Sequence, residues 1–168
     1  MTVSACCQLD TPRSAGTGRC PACGEAGREV DRITVKALLR AEALARLTAP
    51  AHRFCPTASC PVVYFGDGET FGRGEVAVPV FQKEAAGDRT LCYCFAISEG
   101  DLQREIAETG RTTAAQRIAG QVRAGRCACE VRNPQGSCCL GNVVAVGQAL
   151  GRGGAEVPML VHAVEKER

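Results

Sequence analysis

The spacing of apolar residues in the first half of the chain predicts one helix and a small set of strands. A helix is predicted over Thr34–Leu47, with Thr34 as its N-cap, because apolar residues recur there near one helical face. The apolar run Val62–Phe65 predicts a strand, and Gly66-Asp67-Gly68 predicts the turn that follows it. A further strand is predicted over Glu75–Phe81, and Pro79 suggests that this strand lies at a sheet edge.

The second half of the chain has mainly helical periodicity. The short segment Leu91–Phe95 is predicted to be extended, which would place Cys92 and Cys94 on one face. Helices are predicted over residues 98–110, 113–125 and 140–150. The first two begin with sequences that resemble capping boxes, Ser98-x-x-Asp101 and Thr113-x-x-Gln116. Asn133-Pro134-Gln135-Gly136 is typical of a turn.

Composition limits the size of the core that this pattern can build. The 168 residues allow one or two small domains, and 45% hydrophobic residues permit modest cores. Aromatic residues make up only 4% of the chain and tryptophan is absent, so large aromatic cores are not expected. Bound metal ions would compensate, since metal binding contributes folding free energy in small domains.

Charge and hydropathy exclude two classes of partner. Twenty basic and 18 acidic residues give a net charge of +2 without a basic stripe, so a nucleic-acid partner is not expected. No apolar run reaches the length of a membrane span, and the N-terminus has no apolar signal segment, so membrane insertion is not expected either. We expect the protein to be cytoplasmic, where cysteines stay reduced and free to bind metal.

The grouping of the twelve cysteines points to metal binding, because each has a partner within five positions. Disulfide scaffolds tend to scatter cysteines, whereas metal sites take thiolates in close pairs that the fold then brings together. The pairs are Cys6-Cys7, Cys20-x-x-Cys23, Cys55-x4-Cys60, Cys92-x-Cys94, Cys127-x-Cys129 and Cys138-Cys139.

The first two open pairs predict a structural zinc site. Four thiolates complete a tetrahedral shell, and zinc has no redox chemistry of its own. The predicted ligands are Cys20, Cys23, Cys55 and Cys60, and the alternative is that some of them are buried free thiols. His52 is close enough in sequence to replace a cysteine, but we interpret it as a lone surface histidine.

The remaining cysteines offer a second metal site and an accessible pair. A [2Fe–2S] cluster needs four ligands, and six are available: Cys92, Cys94, Cys127, Cys129, Cys138 and Cys139. The side chains of adjacent residues point in different directions, so Cys138 and Cys139 are not both expected to be cluster ligands. One of Cys127 and Cys129 could also be left without a role as a ligand. Cys6-Cys7 could capture a soft ion such as Cu(I) or Hg(II), or could belong to a dispensable tail.

Four motifs in this order resemble the N-terminal iron–sulfur and zinc module of CopZ-type copper chaperones. They are Cys20-Pro-x-Cys23, Cys55-x4-Cys60-x-Val62-Val63-Tyr64-Phe65, Cys92-Tyr93-Cys94 and Asn133-Pro134-x-Gly136-x-Cys138-Cys139. The iron–sulfur half is also similar to bacterioferritin-associated ferredoxins. The resemblance implies zinc at the first two pairs and a [2Fe–2S] cluster on Cys92, Cys94, Cys129 and Cys139, with Cys127 and Cys138 beside it. Full-length members continue into a copper domain with an M-x-C-x-x-C motif, which has no counterpart after Leu140 here.

Together, the pattern and the resemblance predict an α+β protein with a small zinc-stabilised α/β lobe followed by a mostly helical [2Fe–2S]-binding lobe. Residues 1–19 are expected to form a disordered arm, 20–86 the zinc lobe, 87–150 the cluster lobe and 151–168 a C-terminal tail. Ala85–Asp88 is the candidate boundary between the lobes.

The predicted function is metallochaperone-like handling of a soft metal, copper or mercury, with a one-electron redox role for the cluster. The partner would be a metal transporter or a copper-domain chaperone, and the cluster could reduce Cu(II) to Cu(I) before transfer. No residue pattern suggests hydrolysis or nucleotide binding, so a conventional enzyme is not expected. One alternative is a ferredoxin-like electron carrier or iron–sulfur sensor without metal cargo, and another is a structural protein with zinc in both sites.

Overall fold

The computed structural model describes residues 18–87 and 89–151. The chain separates into two compact units. Of the described residues, the first unit contains 18–84 and 130–137, and the second contains 85–129, without Asp88, and 138–151. Sheet dominates the first unit and helix the second, which confirms the predicted α+β class. The domain limits inferred from the sequence stay a prediction.

A four-stranded antiparallel sheet forms the centre of the first unit, in the order β1-β2-β3-β4. Its strands are β1 (Arg28–Val30), β2 (His52–Phe54), β3 (Val62–Gly66) and β4 (Glu69–Gly72). The β3–β4 hairpin confirms the strand and turn expected there, and Gly68 takes the left-handed conformation (φ +73°) that this tight turn requires. The sequence did not reveal β1 and β2, because three residues are too few to show a period of two.

The core of the first unit lies against this sheet. Phe54, Tyr64 and Phe71 are fully buried, and the Phe54 and Tyr64 rings pack edge to face with their centroids 6.2 Å apart. Val35 and Leu38 join the same cluster from the helical segment. The three aromatic residues therefore carry much of this small core.

The helix predicted over Thr34–Leu47 is wrong in its extent. The chain forms α1 (Arg32–Leu38), breaks at Leu39, and resumes as the single turn α2 (Ala41–Leu44). Asp31 occupies the N-cap position, so Thr34 is inside the helix and buried. The break allows Leu39 to take an extended conformation and pair with Val76.

The strand predicted over Glu75–Phe81 is also wrong. Two 3₁₀ turns, Arg73–Glu75 and Phe81–Lys83, occupy this region, and only Val76 makes a bridge. The Glu75 side chain accepts a hydrogen bond of 2.7 Å from the Gly72 amide, which favours a turn over continued extension. Apolar side chains at Val76 and Val80 are buried without forming a regular strand.

The second unit contains a short hairpin and a group of helices. Its elements are β5 (Thr90–Cys92), β6 (Ile97–Ser98), α3 (Glu99–Thr109), α4 (Ala114–Arg123), α5 (Cys129–Arg132, of which only Cys129 belongs to this unit) and α6 (Leu140–Leu150). The capping box at Ser98 is confirmed, since its hydroxyl accepts from the Asp101 amide at 3.1 Å while Asp101 accepts from the Ser98 amide at 2.8 Å. Gly110 (φ +79°) ends α3 as expected.

Two local predictions in this unit are wrong. The segment Leu91–Phe95 is not extended throughout, because a turn follows Cys92 and closes the β5–β6 hairpin, with Ala96 at φ +50°. The helix after Thr113 is present, but the Thr113 side chain does not cap it. The Thr113 amide and hydroxyl donate instead to the Glu105 carboxylate, at 3.0 Å and 2.7 Å.

Within the described ranges, no helix is both long enough and apolar enough to cross a membrane.

Candidate metal centres

The first group of cysteines sits on two loops that the sheet of the first unit holds together. Cys20 and Cys23 lie on a tight turn in which the Gly24 amide donates to the Cys20 carbonyl at 2.8 Å, with Gly24 at φ +75°. Cys55 follows β2 directly, and its amide donates to the Val63 carbonyl at 2.8 Å. Cys60 shortly precedes β3, so the pairing of β2 with β3 fixes the span of the second loop.

The sulfur positions in this group fit a single zinc ion. Cys20 Sγ lies 3.8 Å from Cys60 Sγ, and Cys23 Sγ lies 3.7 Å from Cys55 Sγ. All four sulfurs lie within 4.8 Å of one another. A tetrahedral site with a Zn–S distance of about 2.3 Å has edges of about 3.8 Å. Donor number, donor type and spacing therefore all match a closed structural zinc site.

The protein environment makes the four thiols unequal. The Thr57 hydroxyl, 3.5 Å from the Cys23 sulfur, and the Glu25 backbone amide lower the pKa of Cys23 to about 6. Burial raises the pKa of Cys60 to about 12, and it also raises the pKa of Cys20. Cys23 is therefore easier to deprotonate than Cys20 or Cys60, and a bound positive ion would offset the effect of burial on those two thiols.

His52 is not the surface histidine that we expected. It is 2% exposed, and its Nε2 lies 2.7 Å from the Glu69 carboxylate. The same carboxylate accepts from the amides of Thr48 and Ala49 at 2.9 and 3.0 Å. The histidine is held in a buried polar cluster and has no place in the four-sulfur group, because β2 pairing directs it to the core.

The second group of cysteines gathers in the second unit from three places along the chain. Cys92 ends β5, Cys94 lies in the turn that follows, and Cys129 begins α5. Cys138 and Cys139 precede α6, with Cys139 at its N-cap position. Cys94 Sγ lies 3.7 Å from Cys129 Sγ, and the thiol of Cys139 is close enough to those of Cys92 and Cys129 to alter their pKa values.

Backbone amides point at several of these sulfurs. The Ala128 amide donates to Cys94 Sγ at 3.3 Å. The Cys139 thiol lowers the pKa of Cys92 to about 7, with help from the amides of Phe95 and Cys94 in the hairpin turn. The turn that replaced the expected extended segment thus supplies donors that stabilise a thiolate or a sulfur-bound metal.

The other two cysteines of the second group, Cys138 and Cys127, have different surroundings. Cys138 is exposed, whereas its neighbour Cys139 is 1% exposed. Hydrogen bonds from the thiols of Cys129 and Cys139 lower the pKa of Cys138 to about 2, so its sulfur belongs to the group. Cys127 is half-buried and takes part in none of the hydrogen bonds found for the described part of the chain.

Comparison with known proteins agrees with this arrangement. A family model named zf_CopZ, described as a zinc binding domain, matches residues 17–77, a range that contains all four cysteines of the first group. The copper chaperone CopZ of Archaeoglobus fulgidus is 31% identical over 133 residues, which cover 79% of this chain and 63% of that protein. The crystal structure of the N-terminal domain of that CopZ superposes with a TM-score of 0.65 at 32% identity, covering 77% of this chain and 97% of that domain.

This chain belongs to the CopZ N-terminal domain family. The resemblance seen in the sequence motifs is thereby confirmed, and with it a zinc-binding domain that carries a four-cysteine site. The chain spans 63% of the length of the curated CopZ relative that it matches. The match therefore shows the domain family and does not assign the activity of that whole protein to this chain.

Two predicted cysteines lie outside the described structure, and two residues that were not predicted contact cysteine sulfurs. Cys6 and Cys7 lie outside the described residues. Sequence reasoning missed Thr57 and Ala128, which contact the sulfurs of Cys23 and Cys94. Their positions within and beside the cysteine motifs were the only available signal, since neither residue type is itself a metal ligand.

Proposed function

We propose that this CopZ-family chain is a metallochaperone module for a soft metal ion, with a structural zinc in the first unit and a [2Fe–2S] cluster in the second. The observation that carries the proposal is a second set of cysteines gathered in the second unit, where Cys94 Sγ lies 3.7 Å from Cys129 Sγ and the thiol of Cys139 interacts with those of Cys92 and Cys129. In a [2Fe–2S] cluster each iron takes two thiolates, so four ligands are expected as two pairs.

The spread of the second group favours a cluster over a second zinc ion. Among the described residues, only the first group has at least three ligand atoms that all lie within 4.8 Å of one another. Thiolates bound to different irons are farther apart than thiolates that share one ion. A colourless protein with zinc in both sites is therefore the weaker alternative.

We assign zinc to Cys20, Cys23, Cys55 and Cys60, and the cluster to Cys92, Cys94, Cys129 and Cys139. Cys139 is preferred over Cys138 because it is buried and its thiol interacts with those of both Cys92 and Cys129. Cys127 is left out because none of the hydrogen bonds found among the described residues joins it to another sulfur of the group.

The cargo site is proposed at Cys6 and Cys7. A chaperone needs ligands that bind its ion and release it, whereas eight of the other thiols are committed to zinc or cluster. Two adjacent thiols select soft ions such as Cu(I) or Hg(II). The similarity to a protein named copper chaperone CopZ makes copper the favoured cargo, with a metal transporter or a copper-domain chaperone as the recipient. A bound [2Fe–2S] cluster exchanges one electron, which matches the reduction of Cu(II) to Cu(I).

The test is an anaerobic Cu(I) titration of the zinc- and cluster-loaded protein against a competing chelator. We expect about one additional Cu(I) per chain, lost in the Cys6→Ser, Cys7→Ser double variant. Binding should strengthen as pH rises, because capture displaces thiol protons. Cys138→Ser is the matched control, an exposed thiol whose removal should leave the extra Cu(I) in place.

A ferredoxin-like electron carrier without cargo is the second candidate. It is favoured by the fact that residues 18–87 and 89–151 hold one compact group of at least three metal ligands, the first cysteine group, and no separate cargo site. If the Cys6→Ser, Cys7→Ser double variant binds Cu(I) with the same affinity as the parent protein, Cys6 and Cys7 are not the cargo site. Electron transfer is then the better account.

A further inference from the structure

Lys83 is a buried cation without a carboxylate partner in the described structure. It lies in the 3₁₀ turn Phe81–Lys83 and is 4% exposed. None of the ion pairs found across residues 18–87 and 89–151 includes it. Lysine is almost never fully buried unless it is paired, because an unpaired buried charge is costly. A negative charge close to Lys83 would offset this cost.

The lysine ammonium is fixed against the loop that carries two of the first group's cysteines. Its Nζ donates to the Thr57 carbonyl at 2.7 Å, and the same carbonyl accepts from the Cys60 amide at 3.2 Å. The Thr57 hydroxyl lies 3.5 Å from Cys23 Sγ. One residue thus connects the buried cation to both sides of the zinc site.

The turn that carries Lys83 is itself held firmly. The Lys83 amide donates to the Val80 carbonyl at 2.7 Å, and the Arg73 guanidinium donates to the Lys83 carbonyl. The backbone of Lys83 is therefore anchored on both sides, so the position of its ammonium group is set by the fold.

Formal charge identifies the missing counter-ion. Four thiolates around one Zn²⁺ carry a net charge of about −2, and most of these sulfurs are buried. A dianion in a poorly solvated site needs compensation just as a buried ammonium does. Another cation beside the cysteine loops, Arg19, donates to the Gly24 carbonyl at 3.0 Å but is exposed, so Lys83 is the better-buried source of positive charge.

We propose that Lys83 is a charge-compensating and positioning residue of the zinc site. It acts through the Thr57 loop, and its charge stabilises the metal-bound form of the four thiolates. The inference rests on the zinc site of the proposed function and adds a determinant of its affinity. Residues that support metal ligands in this way typically change metal affinity about 10- to 100-fold when removed.

The test is the zinc affinity of the full chain, measured anaerobically by chelator competition for the parent protein and for variants at Lys83. Lys83→Gln can still donate a hydrogen bond to the Thr57 carbonyl but has no charge, whereas Lys83→Arg keeps the charge. We expect zinc to bind about 10- to 100-fold more weakly to Lys83→Gln and Lys83→Met, and nearly normally to Lys83→Arg. Lys36→Met, at an exposed position on α1, is the matched control and should bind zinc normally.

A double-mutant cycle gives a second, independent readout. Cys23→His changes the formal charge of the site from about −2 to about −1. If the charge of Lys83 strengthens zinc binding, the loss of zinc affinity caused by Lys83→Met should be several-fold smaller in the Cys23→His variant than in the parent protein. Normal zinc binding by Lys83→Gln, or an equal loss from Lys83→Met in both backgrounds, would overturn the proposal for Lys83 while leaving the zinc site intact. A parent protein that binds no zinc would overturn both.

Discussion

Replacing Glu105 by glutamine should destabilise the second unit more than any other single change from a carboxylate to an amide on α3. This carboxylate connects α3 to the start of α4. It accepts hydrogen bonds from Thr112 Oγ1 at 2.8 Å, from the Thr113 amide at 3.0 Å and from Thr113 Oγ1 at 2.7 Å. It also pairs with Arg117 at 2.8 Å. Glutamine offers only one acceptor oxygen and no charge, so several of these donors would lose their partner.

The magnitude follows from the pKa of this group. Burial alone would raise the pKa of Glu105, but the hydrogen bonds from Thr113 and Thr112 and the pairing with Arg117 outweigh it and lower the pKa from 4.5 to about 2. At about 1.4 kcal/mol per pKa unit, this difference corresponds to roughly 3 kcal/mol. Because the side chain is 21% exposed and solvent screens part of the interaction, we expect a loss of about 2 kcal/mol.

The sign of the pH dependence is fixed by the direction of the shift. The folded pKa lies below the unfolded value, so the stabilisation is fully present above about pH 4.5 and is lost as pH falls towards 2. The difference between the parent protein and Glu105→Gln should therefore be the same at pH 7 and pH 6.

The assay is anaerobic urea unfolding of the metal-loaded protein, followed by far-ultraviolet circular dichroism, which reports mainly the helices of the second unit. Glu108→Gln is the control, because Glu108 lies exposed on the same helix and takes part in none of the ion pairs of the described residues. Equal unfolding midpoints for the two variants, or a difference that changes between pH 6 and pH 7, would refute the reasoning.

Three further changes separate the parts of the molecule. Cys60→Ser should abolish zinc binding and lower the melting temperature of the first unit while the visible spectrum of the cluster persists, and simultaneous loss of both metals would argue against separate sites. Cys139→Ser should bleach or distort the visible spectrum and Cys138→Ser should not, with the reverse result moving the fourth ligand by one residue. Tyr64→Phe should destabilise the first unit by about 1–3 kcal/mol, because the buried Tyr64 hydroxyl donates to the Pro134 carbonyl at 2.8 Å; a loss below about 0.5 kcal/mol in chemical denaturation would contradict this.

The sequence was sufficient where a local signal and its structural consequence coincide. The capping box at Ser98, the glycine that ends α3 and the β3–β4 hairpin each depend on a few adjacent residues, and all three are confirmed. The bounds of α6 match the predicted range of 140–150, and Gly151 ends the helix.

Predictions failed where distant residues decide the local conformation. The break at Leu39 exists because Leu39 pairs with Val76, which is remote in sequence. Glu105 of the preceding helix holds Thr113 at the start of α4, and the buried position of His52 depends on Glu69 in another strand. None of these contacts belongs to a local sequence motif.

The same distinction applies to the candidate sites. Close cysteine pairs are visible in the sequence, so the members of each metal group could be named. Their supporting residues could not, because the contacts of Lys83 and Ala128 with the cysteine loops arise only after the chain has folded.

The central claim is that the chain holds one zinc ion and one [2Fe–2S] cluster. Its most direct test is the zinc, iron and acid-labile sulfide content of anaerobically purified protein, measured together with the visible spectrum. We predict a red-brown protein with about one zinc, two iron and two sulfide per chain. A colourless protein with about two zinc ions and no iron would contradict the account.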